Sequence, residues 1–157
     1  MKKLILQLLL LAVVCLYCSA SMVDLLRVRL GKLPEQDFAR IEATDFGDAL
    51  VVTVPENRKQ GSHWIMMKQL DLKPFRGKKL LFTVFVKGEN IARAPAYYLG
   101  LKYMFAVRTE TGKSYPQAPG LAGTFDWRKL SFEVQVPQDA ISGELVAGLQ
   151  ETSGKVW

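Results

Sequence analysis

From Ala49 onward, apolar and polar positions alternate along most of the chain. Ala49 to Val54 is β-branched and stops at Pro55, and Trp64 to Leu72 is a second such run, closed by Lys73-Pro74. In Lys79 to Lys87, Leu80, Phe82, Val84 and Val86 fall on one face, with Leu81, Thr83, Phe85 and Lys87 on the other. Tyr97 to Thr109 is the longest run. Leu99, Leu101, Tyr103, Phe105 and Val107 share its apolar face, while Tyr98, Gly100, Lys102, Met104, Ala106 and Arg108 share the opposite one. Leu130 to Val136 and Leu145 to Gln150 follow, and Leu25 to Leu30 and Ala39 to Thr44 add two segments near the start. A two-residue period with this β-branched and aromatic content predicts strands.

The connectors carry turn chemistry: Pro55-Glu56-Asn57, Arg76-Gly77-Lys78, Lys87-Gly88-Glu89-Asn90 and Glu110-Thr111-Gly112-Lys113. No 3.6-residue period is sustained. The prediction is an all-β sandwich of about eight antiparallel strands. One face of each strand fills the core. The other is free to carry polar and aromatic groups, and the Tyr98, Lys102 and Arg108 face of the longest strand is the best example.

The first 20 residues depart from this pattern. Lys2 and Lys3 precede the apolar run Leu4 to Tyr17, and Cys18-Ser19-Ala20 offers small residues before a cut. This predicts a helical secretory signal peptide. The run is shorter than the ~20 residues that a spanning helix needs. Residues 21–157 are then one exported domain, secreted or in the periplasm or cell envelope, with no membrane attachment after cleavage. Both cysteines, Cys15 and Cys18, leave with the signal, so the mature chain is not a disulfide scaffold. The net charge of +6 is spread without a basic run, which argues against nucleic acid as a partner.

Catalytic patterns are scarce. His63 is the sole histidine, so Ser/His/Asp or Cys/His chemistry would rest on it alone. A zinc site lacks ligands. Gly120-Leu121-Ala122-Gly123 has neither the lysine nor the helix of a phosphate loop. The acids Glu42, Asp45, Asp48 and Glu133 form no marked pair of the kind sugar hydrolysis uses. An oxygen-only structural calcium site drawn from loop acids stays open. Aromatic residues are the remaining currency, because a flat ring offers an apolar face to the C–H face of a sugar. Tyr103 and Phe125 read as core, and Trp127 as packed where its strand begins. Tyr98, Tyr115 and Trp64 read as exposed.

Four blocks, in order, resemble one family: Leu70 to Leu80 with its Lys73-Pro74-Phe75-Arg76-Gly77-Lys78 core, Tyr98 to Met104, Gly123 to Phe132, and Leu149 to Trp157. They are similar to the N-terminal jelly-roll carbohydrate-binding modules of bacterial cellulase-like glycoside hydrolases. The resemblance implies a jelly-roll fold and a non-catalytic role in binding, or positioning an enzyme on, a β-linked polysaccharide. The binding groove would be formed by Tyr98, Lys102 and Gln150, with Trp64 or Tyr115 at its rim. Rings would stack on sugars, and Lys102 and Gln150 would hydrogen-bond hydroxyls. In that family the Val-Trp pair is usually followed by residues that complete the last strand, and a catalytic barrel comes later. The expectation is therefore a module that is incomplete at its C-terminus. An alternative is a purely structural module packed against such a catalytic domain.

Overall fold

The computed structural model describes residues 36–157. The signal segment and the strand predicted at Leu25 to Leu30 lie outside them. Among the described residues there are nine strands: β1 (Ala39–Thr44), β2 (Gly47–Val54), β3 (Ser62–Asp71), β4 (Lys79–Ile91), β5 (Gly100–Thr109), β6 (Lys113–Ser114), β7 (Gly123–Gln135), β8 (Ala140–Gln150) and β9 (Gly154–Val156). They form two sheets, ordered β1-β2-β9-β4-β7 and β3-β8-β5-β6, with every ladder antiparallel. The all-β sandwich is as the alternation predicts. Seven of the eight predicted strands are among the nine; the two additions are the two-residue β6 and the three-residue β9.

The core lies between the sheets and uses the faces that the period assigns. Leu80, Phe82 and Val86 of β4 and Leu130, Phe132 and Val134 of β7 meet Leu101, Tyr103, Phe105 and Val107 of β5. Phe82 is the centre of an aromatic trio, stacked on Phe132 at 5.2 Å and tilted against Phe105 at 4.5 Å between centroids. Pairs of this kind add about 0.5–1.5 kcal/mol beyond the area they bury.

Several expectations change, beginning with β7 and β8, which start at Gly123 and Ala140 rather than at Leu130 and Leu145. Lys87 to Asn90 is not a connector, because β4 runs through it to Ile91. Here β7 pairs with one edge (Gly88 with Phe125, Ile91 with Gly123) and β9 with the other (Gly88 with Val156, Glu89 with Lys155). Pairing on both sides outweighs local turn chemistry, and the turn-like residues are absorbed as register shifts, with Asn90 at φ 51°. Conversely, the strand at Tyr97 begins only at Gly100, since Leu99 N–H closes a turn onto Ala96 C=O at 3.0 Å.

The five-stranded sheet is divided. β9 lies between β2 and β4 at one end only, pairing with Val52 to Val54 and with Gly88 and Glu89. Trp157 adds two backbone bonds to Lys87. Farther along, β2 and β4 share no ladder among the described residues. The resemblance places an incomplete last strand at the Val156-Trp157 pair, whereas β9 spans Gly154–Val156, and its place at the middle of the sheet is set by long-range pairing.

Candidate functional site

The outer face of the β3-β8-β5-β6 sheet gathers the groups picked out by the alternation. The register aligns Trp64 of β3 with Gly148 of β8 and Lys102 of β5, forming one row across three strands. The next row is Ser62, Gln150 and Gly100. On the other side lies Met66, Val146 and Met104. Adjacent strands are ~4.8 Å apart, so each row spans ~10 Å.

Although they alternate with core residues, Lys102, Met104 and Val146 are only 4%, 7% and 5% exposed. They form a buried strip on the outer face of the sheet. Trp64 and Met66 stand on its β3 side. On the β5 side, the chain after β6 runs back along the strand: Phe105 N–H donates to Pro116 C=O, Ala118 N–H donates to Tyr103 C=O, and Gln117 bridges Met104. The strip at Gly148 depends on the absence of a side chain, because a Cβ there would lie 2.3 Å from His63 C=O and 2.6 Å from Trp64 Cα.

Lys102 differs from the expectation. Its ammonium donates to Tyr98 C=O and, at 2.9 Å, to Gln117 Oε1. Burial pushes its pKa below the ordinary lysine value. Lys102 therefore ties the Tyr98 turn to the Gln117 wall, and those internal partners take the donors expected to reach sugar hydroxyls. Alternation assigns a residue to a face but does not reveal what folds over that face.

The other candidates are placed as follows. Gln150 Nε2 reaches Ser62 Oγ at 3.4 Å within its row. Trp64 is half-buried, flanking the strip. Tyr98 is 55% exposed, with its ring edge-on to that of Tyr97 at 5.3 Å. Tyr115, 57% exposed, sits on the flank beyond β5, just after β6. Trp64, Lys102 and Gln150 are thus brought into two adjacent rows. Tyr98 joins them through its carbonyl, and Tyr115 stands farther out.

His63 is buried on the opposite face of β3, edge-on to Phe38 at 5.4 Å, and its Nδ1 has no hydrogen-bond partner among the described residues. The candidate acids do not converge. Glu133 pairs with Lys79 at 2.9 Å. Glu42 accepts from Arg40 and from Trp157 Nε1 at 3.0 Å, with Lys155 at 3.7 Å. Burial raises the Glu42 pKa, but these hydrogen bonds and charges outweigh it and hold the carboxyl below its usual value. Among the described residues no three His, Cys, Asp or Glu side chains cluster as metal ligands. Among the same residues no helix is long and apolar enough to cross a membrane.

The sequence reading missed an open depression of about 460 Å³ lined by Ala92 to Tyr97, Leu99, Gly100 and Gly120 to Ala122. Small residues dominate the lining, so no periodic or charged signal marked it; the run Ala92-Arg93-Ala94-Pro95-Ala96 was its only trace. Comparison with known proteins adds no family: no family model and no curated protein matches this sequence.

Proposed function

We propose that the chain is a non-catalytic carbohydrate-binding module that holds a β-linked polysaccharide along the outer face of the β3-β8-β5-β6 sheet. The observation that carries this reading is the Trp64-Gly148-Lys102 row, in which an indole flanks a strip of buried outer-face residues. Trp64 and the exposed Tyr98 supply stacking faces, and Gln150 and Ser62 supply hydroxyl partners. Lys102 is a positioning residue that fixes the turn bearing Tyr98. The resemblance of the ordered sequence blocks to modules of cellulase-like hydrolases supports the same reading. It also supports a secreted or cell-envelope location, reached through the leader at residues 1–20, and a glycoside hydrolase catalytic domain as partner.

Affinity electrophoresis and calorimetry against cellulose, xylan and mannan oligomers test the proposal. Trp64→Ala is expected to weaken binding at least tenfold, because truncated aromatic anchors typically cost 2 kcal/mol or more. The melting temperature serves as the control for folding. No binding to any of these glycans by the folded protein would sink the reading.

A second reading has its own support on the opposite sheet. Leu81 and Phe85 point away from the core and are exposed, and exposed Phe46 lies 5.4 Å from the Trp127 ring. An apolar face of this kind suits packing against a neighbouring domain. Joined to its catalytic domain, Phe85→Lys would then lower the melting temperature of the whole while leaving glycan binding unchanged. An unchanged melting temperature counts against this interface.

A further inference from the structure

The open depression beside Gly100 has chemistry that the proposed binding face lacks. Its volume of about 460 Å³ falls in the usual range for small-molecule sites, roughly 300–1,000 Å³. Gly100 belongs both to its lining and to the Gln150 row, and Tyr97 at its mouth adjoins Tyr98. Its wall is anchored. Ala92 N–H donates to Ser153 C=O at 3.0 Å, and Ala92 C=O accepts from Thr152 Oγ1 at 2.6 Å. The Ala96 to Leu99 turn closes the other end.

Only Arg93 and Tyr97 bring polar side-chain groups to this lining; alanine, proline, leucine and glycine supply the rest. Tyr97 is 91% exposed and offers a free ring face. Among the described residues Arg93 makes no ion pair. A guanidinium is a rigid fork that matches a carboxylate in a bidentate manner. An exposed aromatic ring and a guanidinium without an ion pair, side by side in one depression, together match a sugar that carries a carboxylate.

We propose that this depression is a subsite for a uronic acid residue of the bound polysaccharide. Arg93 holds the carboxylate, and Tyr97 stacks on the ring. The inference rests on the binding-face reading, which supplies the rest of the chain's contacts, and it narrows the ligand from a neutral β-glycan to one bearing acidic residues.

The full chain is titrated with polygalacturonate, glucuronate-substituted xylan, dextran sulfate and a neutral β-glucan, as wild type, Arg93→Gln, Trp64→Ala and Lys129→Gln. Melting temperatures check each fold. Lys129 is exposed on the other sheet and reports the bulk attraction of a basic protein. The expected result is at least a tenfold loss of uronate binding in Arg93→Gln, with neutral glucan binding and Lys129→Gln within about twofold of wild type. An equal loss in Lys129→Gln overturns the proposal, as does Arg93-dependent binding of dextran sulfate alone. Uronate binding insensitive to Arg93→Gln but lost in Trp64→Ala overturns the subsite and leaves the binding face. No binding of any glycan by wild type removes both.

Discussion

Gly148→Val is expected to destabilise the fold by about 3 kcal/mol or more, combining overpacking of about 1–3 kcal/mol with backbone strain of a similar size. The first atom of any side chain at 148 would meet His63 C=O at 2.3 Å, Trp64 Cα at 2.6 Å and Trp64 Cβ at 3.0 Å. Two of these three belong to the β3 backbone, so no rotamer change relieves the clash. The φ of 148° adds a conformational cost for a β-branched residue. Relief requires β3 to move away from β8, breaking the ladder on either side of Trp64-Gly148. A loss of this size is a large share of the 5–15 kcal/mol typical of a domain, and it lowers the melting temperature by on the order of 10 °C. Because the same row carries Trp64 and Lys102, glycan affinity is expected to fall as well. Gly148→Ala introduces the same first atom and is expected to follow in the same direction. Thermal melts within 2 °C of wild type for both variants would refute the argument.

The Gly148 row also shows what was legible in the sequence. Alternation placed Leu101, Tyr103, Phe105 and Val107 on the core face of β5 and Lys102 and Met104 on the other, and the burial pattern follows that division. Nothing in the alternation said that 115–118 would turn back along β5, so Lys102 reads as a hydrogen-bonding partner for sugar hydroxyls when it is a buried tie between Tyr98 and Gln117. Period-2 patterns report a residue's immediate environment within its strand. They do not report the strand's neighbours, and for that reason the extension of β4 through Gly88 and Asn90 and the central place of β9 also escaped. The depression escaped for a different reason. Its lining is chiefly small side chains, which carry no periodic or charged signal.

Replacing Tyr103 is expected to separate two contributions that meet where the five-stranded sheet divides. Lys87 bonds Trp157 through its backbone, and carbonyls four residues apart on an antiparallel strand point the same way, so Thr83 C=O faces the side where β4 has no partner strand. Tyr103 OH reaches across from the opposite sheet and donates to this carbonyl at 3.0 Å. One hydroxyl thus serves an acceptor that a neighbouring strand would otherwise serve. Tyr103→Phe removes that bond and keeps the edge-on contact with Phe132, so it is expected to cost about 1 kcal/mol. Tyr103→Ala also removes the ring and is expected to cost about 3–5 kcal/mol. Burial raises the Tyr103 pKa from 10.0 to about 12. A raised pKa means that the folded state favours the protonated phenol. Its stabilisation is therefore complete below pH 10 and is lost as pH rises from 10 toward 12. Phenolate absorbance during an alkaline titration should include one late component near pH 12 that is absent in Tyr103→Phe, and denaturant midpoints of the wild type should fall faster than those of Tyr103→Phe over the same interval. If the late component survives in Tyr103→Phe, another group is responsible and the hydroxyl does not bridge the sheets. If it vanishes while Tyr103→Phe and Tyr103→Ala are equally stable, the bridge exists but the ring behind it contributes nothing, contrary to its packing against Phe132.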